Sequence, residues 1–182
     1  MFYALALMVA QAAPATVVEA QPIPPIDQAR EQIAELDARL FWSAFEGCDA
    51  RAIEDLITED FRMLHDLAGL AVPDGASFVA SMAEQCAARE PGGAIAGYKN
   101  RRLLVPGSRT VTPLGKWGVL ERGHHTFQEW RGEKGEWEQT GGARYIHVWK
   151  WMADEGRFRL EQSLSIDHGA APSYPPVGEQ AD

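Results

Sequence analysis

The sequence predicts an α+β fold in which a strongly curved antiparallel sheet wraps around N-terminal helices. Apolar residues recur at helical spacing up to about Arg89, whereas the pattern alternates as it does in strands from Tyr98 onward. Several of the predicted strands are long, which favours a curved sheet. Since the chain has 182 residues, it has the size of one domain with short appendages.

The first 21 residues have the pattern of an export signal followed by the start of a linker. Phe2–Ala10 is a short apolar core, and small residues suited to cleavage follow at Ala10-Gln11-Ala12 and Ala13-Pro14-Ala15. No Lys or Arg precedes the apolar core, so a disordered or hydrophobic extension is the alternative. We expect the protein to be exported, either to the periplasm or out of the cell.

Proline-rich segments mark both boundaries of the predicted domain. Three prolines stiffen residues 22–26, which we interpret as a linker. The folded domain is predicted at residues 27–168. Three more prolines lie in residues 169–182, which we interpret as a mobile tail.

Three helices are predicted before the sheet. Asp27 is the predicted N-cap of the first helix, in which apolar residues from Ile33 to Phe45 recur at helical spacing. Asp49 is the predicted N-cap of a short second helix. The third helix is predicted at about Ala76–Arg89 and ends at a Pro-Gly-Gly sequence.

Cys48 and Cys86 are the only two cysteines in the chain. Both lie near the ends of predicted helices, so they could form one disulfide in an oxidising compartment. The alternative is a pair of small buried side chains with free thiols. The sequence leaves both interpretations open.

Six strands are predicted, the first at Phe61–His65, followed by a loop at residues 67–75. Bulges or bends are predicted at four glycines, Gly118, Gly123, Gly141 and Gly142. The other five strands are predicted at Arg101–Val105, Thr110–Leu114, Trp117–Trp130, Trp137–Trp151 and Arg157–Asp167.

The last two strands have the clearest pattern, an antiparallel hairpin with turn residues at Ala153–Gly156. One face of the first strand carries Tyr145, His147, Trp149 and Trp151. On the second strand, alternation predicts that Phe158, Leu160, Leu164 and Ile166 share one face. The opposite face is predicted to carry Arg159, Glu161, Ser163 and Ser165.

Charge and motif content argue against several functional classes. The net charge is −9, and the acidic surface it implies argues against a nucleic-acid partner and against docking on anionic membrane. No apolar run is long enough to span a bilayer, so we expect no stable membrane insertion after signal removal. Glycine-rich phosphate loops, nucleophile elbows and CxxC pairs are missing from the sequence.

Residues 41–49 (FWSAFEGCD), 56–61 (LITEDF), 145–151 (YIHVWKW) and 155–160 (EGRFRL) resemble the opening and the ending of nuclear transport factor 2-like domains. The family usually has Trp where this chain has Phe158. The resemblance covers about residues 27–168 and implies the cystatin-like cone, a curved antiparallel sheet around a long helix with a pocket at the open end. The family includes ketosteroid isomerase-like and polyketide cyclase-like enzymes, binding domains without catalysis, and many dimers.

The resemblance also implies a candidate for proton transfer. In the isomerase branch the general base is an Asp near the end of the first strand, and His65 occupies that position, with Asp66 beside it. Histidine can move a proton near neutral pH, so these two residues are the catalytic candidates. The alternative is a half-buried histidine that completes a hydrogen bond at a strand end.

Four further side chains are candidates for lining the pocket. Tyr145 could donate to a developing oxyanion and His147 could orient a polar group, on a face shared with Trp149. The alternative is an aromatic face packed on helices or on a dimer partner. Adjacent strand residues point to opposite faces, so only one of His124 and His125 can face the pocket, and His125 is the fourth candidate.

We predict no metal site and no cofactor. His124 and His125 cannot both bind one ion from within the sheet, and no other pair of histidines has metal-ligand spacing. Asp167 and His168 could form an acid–base pair, but neighbours on a strand diverge, so we interpret them as a polar cluster at a strand end.

The sequence therefore favours an exported domain that binds a small apolar or amphipathic molecule in its pocket and forms a homodimer through the sheet. The alternative is a pocket enzyme of the isomerase, dehydratase or cyclase type. Its base would be His65 or Asp66, with electrophilic support from Tyr145 or His147. A third possibility is a protein–protein association scaffold, whose cone would be filled by its own side chains.

Overall fold

The computed structural model describes residues 20–169, so almost all of the predicted signal peptide and tail lies outside the described residues. Three helices are present, α1 (Ile26–Ala44), α2 (Ala50–Glu54) and α3 (Gly75–Arg89). The strands are β1 (Ile57–His65), β2 (Gly69–Val72), β3 (Asn100–Leu104), β4 (Thr110–Pro113), β5 (Gly118–Arg131), β6 (Glu136–Met152) and β7 (Arg157–Ile166).

The seven strands form one curved, unclosed sheet in the order β2-β1-β7-β6-β5-β3, with β4 also paired to β5. This architecture confirms the α+β prediction. One pair departs from the antiparallel pattern, because β1 runs parallel to β7 and the sheet is therefore mixed. Parallel neighbours need a long connection, and here the connection is most of the domain.

The helix N-termini follow from capping chemistry at two of three positions. Asp49 accepts a hydrogen bond from the Ala52 N–H at 2.9 Å, as predicted, and Asp74 caps α3 in the same way. The predicted cap at Asp27 is wrong. Helix α1 begins at Ile26 after Pro25, so Asp27 lies inside the first turn and pairs with Arg30.

The segment predicted as a loop at residues 67–75 contains the short strand β2, which pairs with the end of β1. Leu64 faces Leu70 in this pair and His65 faces Gly69. Gly69 has φ +69°, a backbone conformation that a residue with a Cβ rarely adopts. Because turn-forming residues flank β2, the sequence pattern did not indicate that β1 and β2 form a hairpin.

A β-bulge in β7 reverses part of the predicted alternation. Val148 pairs with Gln162 and Trp149 pairs with Leu160, which leaves Glu161 as the extra residue. Beyond the bulge, Ser163 and Ser165 are buried on the concave face, together with Leu160. The prediction that Leu164 and Ile166 share a face with Leu160 is therefore wrong.

A second bulge lies at a position that the glycine pattern predicted. Phe127 pairs with Gly141 and Gln128 with Gln139, so Thr140 is the extra residue, next to Gly141. Gly123 has a different role, because a Cβ there would lie 2.8 Å from the Tyr145 hydroxyl oxygen. Gly123 thus leaves room for the Tyr145 ring, and the pairing of β5 with β6 has no bulge at this residue.

The core lies between the helices and the concave face of the sheet. Cys48, after α1, and Cys86, on α3, form a disulfide, which decides between the two alternatives that the sequence left open. Among the described residues no helix is long and apolar enough to cross a membrane. Large buried apolar side chains of this core are Ile33, Leu40, Ile53, Leu56, Ile57, Phe61, Trp149, Phe158 and Leu160.

Candidate functional site

A cavity of about 160 Å³ lies between α1, α3 and the concave face of the sheet. Most of its wall is apolar or aromatic, and seven polar side chains also reach it. The apolar wall includes Leu40, Phe41, Phe61, Phe78, Phe127 and Leu160. The polar side chains are Gln85 and Arg89 on α3, Asn100 on β3, His125 on β5, His147 on β6, and Ser163 and Ser165 on β7.

His125 presents a hydrogen-bond donor that has no partner. The Arg102 guanidinium donates from Nε to His125 Nδ1 at 3.1 Å, so the proton of the neutral ring lies on Nε2. His125 is 2% exposed, and its Nε2 has no hydrogen-bond partner. Burial, and then the charge of Arg102, lower the pKa of His125 to about 2, so the ring stays neutral at physiological pH.

Behind His125 lies a network of buried charges that the sequence analysis did not identify. Asp37 of α1 accepts from Arg102 at 2.7 Å and from Arg109 at 2.5 Å. Arg109 also donates to Glu121 of β5 at 2.8 Å. The two negative charges of the carboxylates cancel the two positive charges of the guanidinium groups, so the network is neutral as a whole.

Glu121 anchors the aromatic side chains of β6. It is fully buried and accepts from the Tyr145 hydroxyl at 2.9 Å and from Trp149 Nε1 at 2.8 Å. Desolvation alone would raise the pKa of Glu121. Interactions with His147, Arg109 and Trp149 outweigh desolvation and hold that pKa well below its usual range.

The four predicted lining residues therefore separate into two pairs. His125 and His147 reach the cavity, whereas Tyr145 and Trp149 lie behind its wall and bond to Glu121. Burial and the charge of Glu121 raise the pKa of Tyr145, so it remains a protonated donor within the network. The Tyr145 hydroxyl is thus engaged by Glu121, and its role as an oxyanion donor stays a prediction.

The catalytic candidates His65 and Asp66 lie beside the cavity and are not part of its wall. His65 Nδ1 accepts from the Leu67 N–H at 3.2 Å, and the His65 ring stacks on His168 with 3.9 Å between ring centroids. Asp66 accepts from the His168 backbone N–H at 3.1 Å and contacts His168 Nδ1 at 2.5 Å. His168 in turn reaches Ser165 Oγ at 3.0 Å.

Two groups of residues bring potential metal-ligand atoms within 4.8 Å of one another among residues 20–169. In the group Asp37, Glu121 and His147, arginines already neutralise both carboxylates, so a dication would add uncompensated charge. In the group His65, Asp66 and His168, the carboxylate is already hydrogen-bonded to His168. Neither arrangement needs an ion to satisfy its charges.

The sequence carried a usable signal for the buried charges. Asp37 lies four residues after Ile33 and three before Leu40, so it falls on the apolar stripe of α1. Glu121 alternates with Val119 and Gly123 on the buried face of β5. A charged residue at a core position indicates a buried partner, although the sequence does not say which one.

Comparisons with known proteins bear on the fold. No protein-family model matches the chain, and the sequence of no curated protein matches it. Among solved structures, a nuclear transport factor 2-like superfamily protein from Salmonella enterica superposes with a TM-score of 0.59 at 14% identity, over 85% of this chain and 99% of that one.

Two proteins of Novosphingobium aromaticivorans are also similar. An NTF2-like protein with a cystatin-like fold has a TM-score of 0.59 at 20% identity, over 77% of this chain and 82% of that one. The beta subunit of a putative aromatic-ring-hydroxylating dioxygenase has a TM-score of 0.59 at 14% identity, over 81% and 94%. The chain therefore has the nuclear transport factor 2-like, cystatin-like fold that its sequence resembles.

Proposed function

We propose that the cavity binds a small, mainly apolar molecule with one hydrogen-bond-accepting oxygen, which accepts from His125 Nε2–H. The observation that carries this proposal is the unpartnered Nε2 in the wall of a largely apolar cavity. A buried donor without a partner costs about 1–3 kcal/mol, and a ligand carbonyl would recover that free energy. Binding pockets commonly combine an apolar wall with a few polar groups of this kind.

The cavity volume sets the size of the ligand. An apolar cavity of about 150 Å³ holds a benzene molecule, and this cavity measures about 160 Å³. A ligand of about one aromatic ring with a short substituent fits that volume. The cavity also argues against the scaffold hypothesis, which required a cone filled by its own side chains.

An isosteric pair of probes tests the role of His125. Acetophenone carries a carbonyl, whereas α-methylstyrene has a CH₂ group in its place and cannot accept a hydrogen bond. In calorimetric titrations we expect acetophenone to bind about tenfold more tightly, the strength of one hydrogen bond. His125→Phe should abolish that preference. Equal affinity of the two probes for the wild-type protein would contradict the proposal.

A filling variant tests the location of binding. Ala44 lines the cavity, so Ala44→Phe should occupy the space and abolish binding of acetophenone. Ala83→Phe is the matched control, because Ala83 is exposed on α3 and does not line the cavity. Undiminished binding to Ala44→Phe would place the ligand elsewhere.

The enzyme alternative based on His65 or Asp66 has less support. His65 Nδ1 is engaged by the Leu67 N–H and both oxygens of Asp66 by His168, and neither residue lines the cavity. A base for proton abstraction must come within hydrogen-bond reach of its substrate. The observed arrangement therefore favours binding over acid–base chemistry at these two residues.

Export remains a prediction, and we also propose that the protein works in an oxidising compartment. The Cys48–Cys86 disulfide supports this proposal, since disulfides persist mainly in the periplasm and outside cells. Cell fractionation followed by mass spectrometry should find the chain outside the cytoplasm, with its N-terminus cleaved near residues 12–15. An unprocessed cytoplasmic chain with two free thiols would contradict it.

A further inference from the structure

Ser165, His168 and Asp66 form a hydrogen-bonded chain that ends at the cavity wall. Ser165 is 3% exposed and its side chain lines the cavity, and its Oγ lies 3.0 Å from His168 Nε2. His168 Nδ1 lies 2.5 Å from Asp66 Oδ1. A hydroxyl, an imidazole and a carboxylate in this order are the parts of an activated nucleophile, its base and the group that orients the base.

The direction of each hydrogen bond follows from Asp66. Desolvation would raise the pKa of Asp66, but the backbone and side-chain hydrogen bonds from His168 outweigh it and lower that pKa. Asp66 is therefore an ionised acceptor at neutral pH, and His168 Nδ1 must donate to it. In the neutral imidazole, Nε2 is then left as an acceptor, so the Ser165 hydroxyl donates its proton to His168.

The backbone holds the three residues in place. The Asp66 N–H donates to the Ser165 carbonyl at 3.1 Å, which continues the parallel pairing of His65 with Ser165. Asp167 has φ +58°, unusual for a residue with a Cβ, and this turns the chain so that His168 folds back onto Asp66. The stacked ring of His65 covers one face of the His168 imidazole.

We infer that Ser165 is a nucleophile that cleaves small carboxylic esters bound in the cavity, with His168 as its base and Asp66 as a positioning residue. The inference rests on the proposed function, because the ester must occupy the same cavity. His125 Nε2–H, the donor proposed for a ligand oxygen, would then bind the oxygen of the ester carbonyl.

The reaction balances with water as the only co-reactant. Ser165 Oγ attacks the carbonyl carbon while its proton passes to His168 Nε2. The ester C–O bond then breaks, and the departing alcohol takes that proton. Water attacks the acyl-serine, giving its proton through His168 to the Ser165 oxygen, and the carboxylic acid leaves.

Diisopropyl fluorophosphate tests the nucleophile on the full chain. If His168 activates Ser165, its oxygen displaces fluoride from phosphorus, and intact-mass analysis should find one added phosphoryl group. Peptide mapping should locate the group on Ser165 and not on Ser163, which shares the cavity wall and lies opposite His147 but does not belong to the chain of Ser165, His168 and Asp66. Labelling should disappear in Ser165→Ala and persist in Ser81→Ala, a control on the exposed surface of α3.

Hydrolysis of p-nitrophenyl acetate tests the base and its positioning residue. His168→Gln keeps the serine in place and should lower kcat by about 10²- to 10⁴-fold. Asp66→Asn should lower kcat without changing KM, because Asp66 acts through His168. Asp60→Asn is the matched control, because Asp60 is an exposed carboxylate of β1 outside this chain of hydrogen bonds, so both constants should stay unchanged.

Several outcomes overturn the inference. An unlabelled wild-type chain, a label on Ser163 or full activity in His168→Gln would each do so. Activity that EDTA removes and zinc restores would also overturn it, because it would assign His65, Asp66 and His168 to a metal. A chain that binds acetophenone but is not labelled would remove the nucleophile and leave the proposed function standing. A chain that neither binds acetophenone nor reacts would remove both.

Discussion

At the scale of single residues, the neutral state of His125 follows from its surroundings. Burial disfavours a charged imidazole, and the permanently charged Arg102 guanidinium lies 3.1 Å from His125 Nδ1. The unfolded chain has neither constraint, so its His125 takes up a proton near pH 6.5. The folded form resists that proton down to about pH 2, and stability must therefore depend on pH.

Between pH 6.5 and 4.5 the unfolded state binds the proton of His125 and the folded state does not. In this range, His125 should therefore lower the free energy of unfolding by about 1.4 kcal/mol for each unit by which the pH falls. In His125→Gln this contribution should be absent. The slope of the unfolding free energy against pH, measured by urea titration at each pH, should be smaller by that amount. Parallel profiles of unfolding free energy against pH for the two proteins would contradict the conclusion that folded His125 stays neutral.

Glu121 gives a second prediction at this scale. Glu121→Ala should lower the free energy of unfolding by about 3–5 kcal/mol, because Arg109, Tyr145 and Trp149 lose a buried acceptor. Glu138→Ala is the matched control, since Glu138 pairs with Arg131 but its side chain is 48% exposed. The control should cost far less in the same chemical denaturation, because solvent screens its ion pair. Similar losses of unfolding free energy in the two variants would show that the burial of Glu121 does not explain its contribution to stability.

At the scale of elements, the bulge at Glu161 decides which side chains of β7 enter the cavity. Without an extra residue, alternation would place Leu164 and Ile166 beside Leu160, as the sequence predicted. With it, Ser163 and Ser165 face inward and make that part of the wall polar. The side chains available to a ligand thus depend on one residue of register, which a period-two pattern does not report.

The disulfide joins two elements that are distant in the sequence, the corner after α1 and the last turn of α3. Cys48 and Cys86 are 38 residues apart, and closing a loop of that length restricts the unfolded chain. Replacing both cysteines by Ser should lower the free energy of unfolding by about 3–4 kcal/mol. Chemical denaturation of the oxidised wild-type and the double variant measures this, and an unchanged midpoint would contradict it.

At the scale of the whole molecule, the prediction of a homodimer through the sheet remains open to experiment. Leu64 and Leu70 face each other across the β1–β2 pair, and 44% and 56% of their surfaces are exposed. A partner sheet would remove such apolar surface from water. Sedimentation velocity should find twice the mass of one chain, and Leu64→Glu with Leu70→Glu should restore the monomer. A wild-type monomer at all concentrations would contradict the prediction.

Much of the architecture could be predicted because periodicity is a local property. The five C-terminal strands lie within one residue of their predicted bounds, and the resemblance anticipated the curved sheet with its pocket. The candidate site was less accessible to prediction. His125 and His147 were identified as pocket residues, but Tyr145 and Trp149 shared their strand face, and only their bonds to Glu121 distinguish them.

The sequence by itself determined the helices, the long strands and the alternation that makes one face of the sheet apolar, since each depends on residues a few positions apart. Only the tertiary structure decided that Asp66 meets His168, 102 residues later, and that Asp37 meets Arg102. These contacts depend on the parallel register of β1 with β7 and on the packing of α1 against the sheet. Neither leaves a periodic pattern in the chain, because both are set by the joint packing of the whole core.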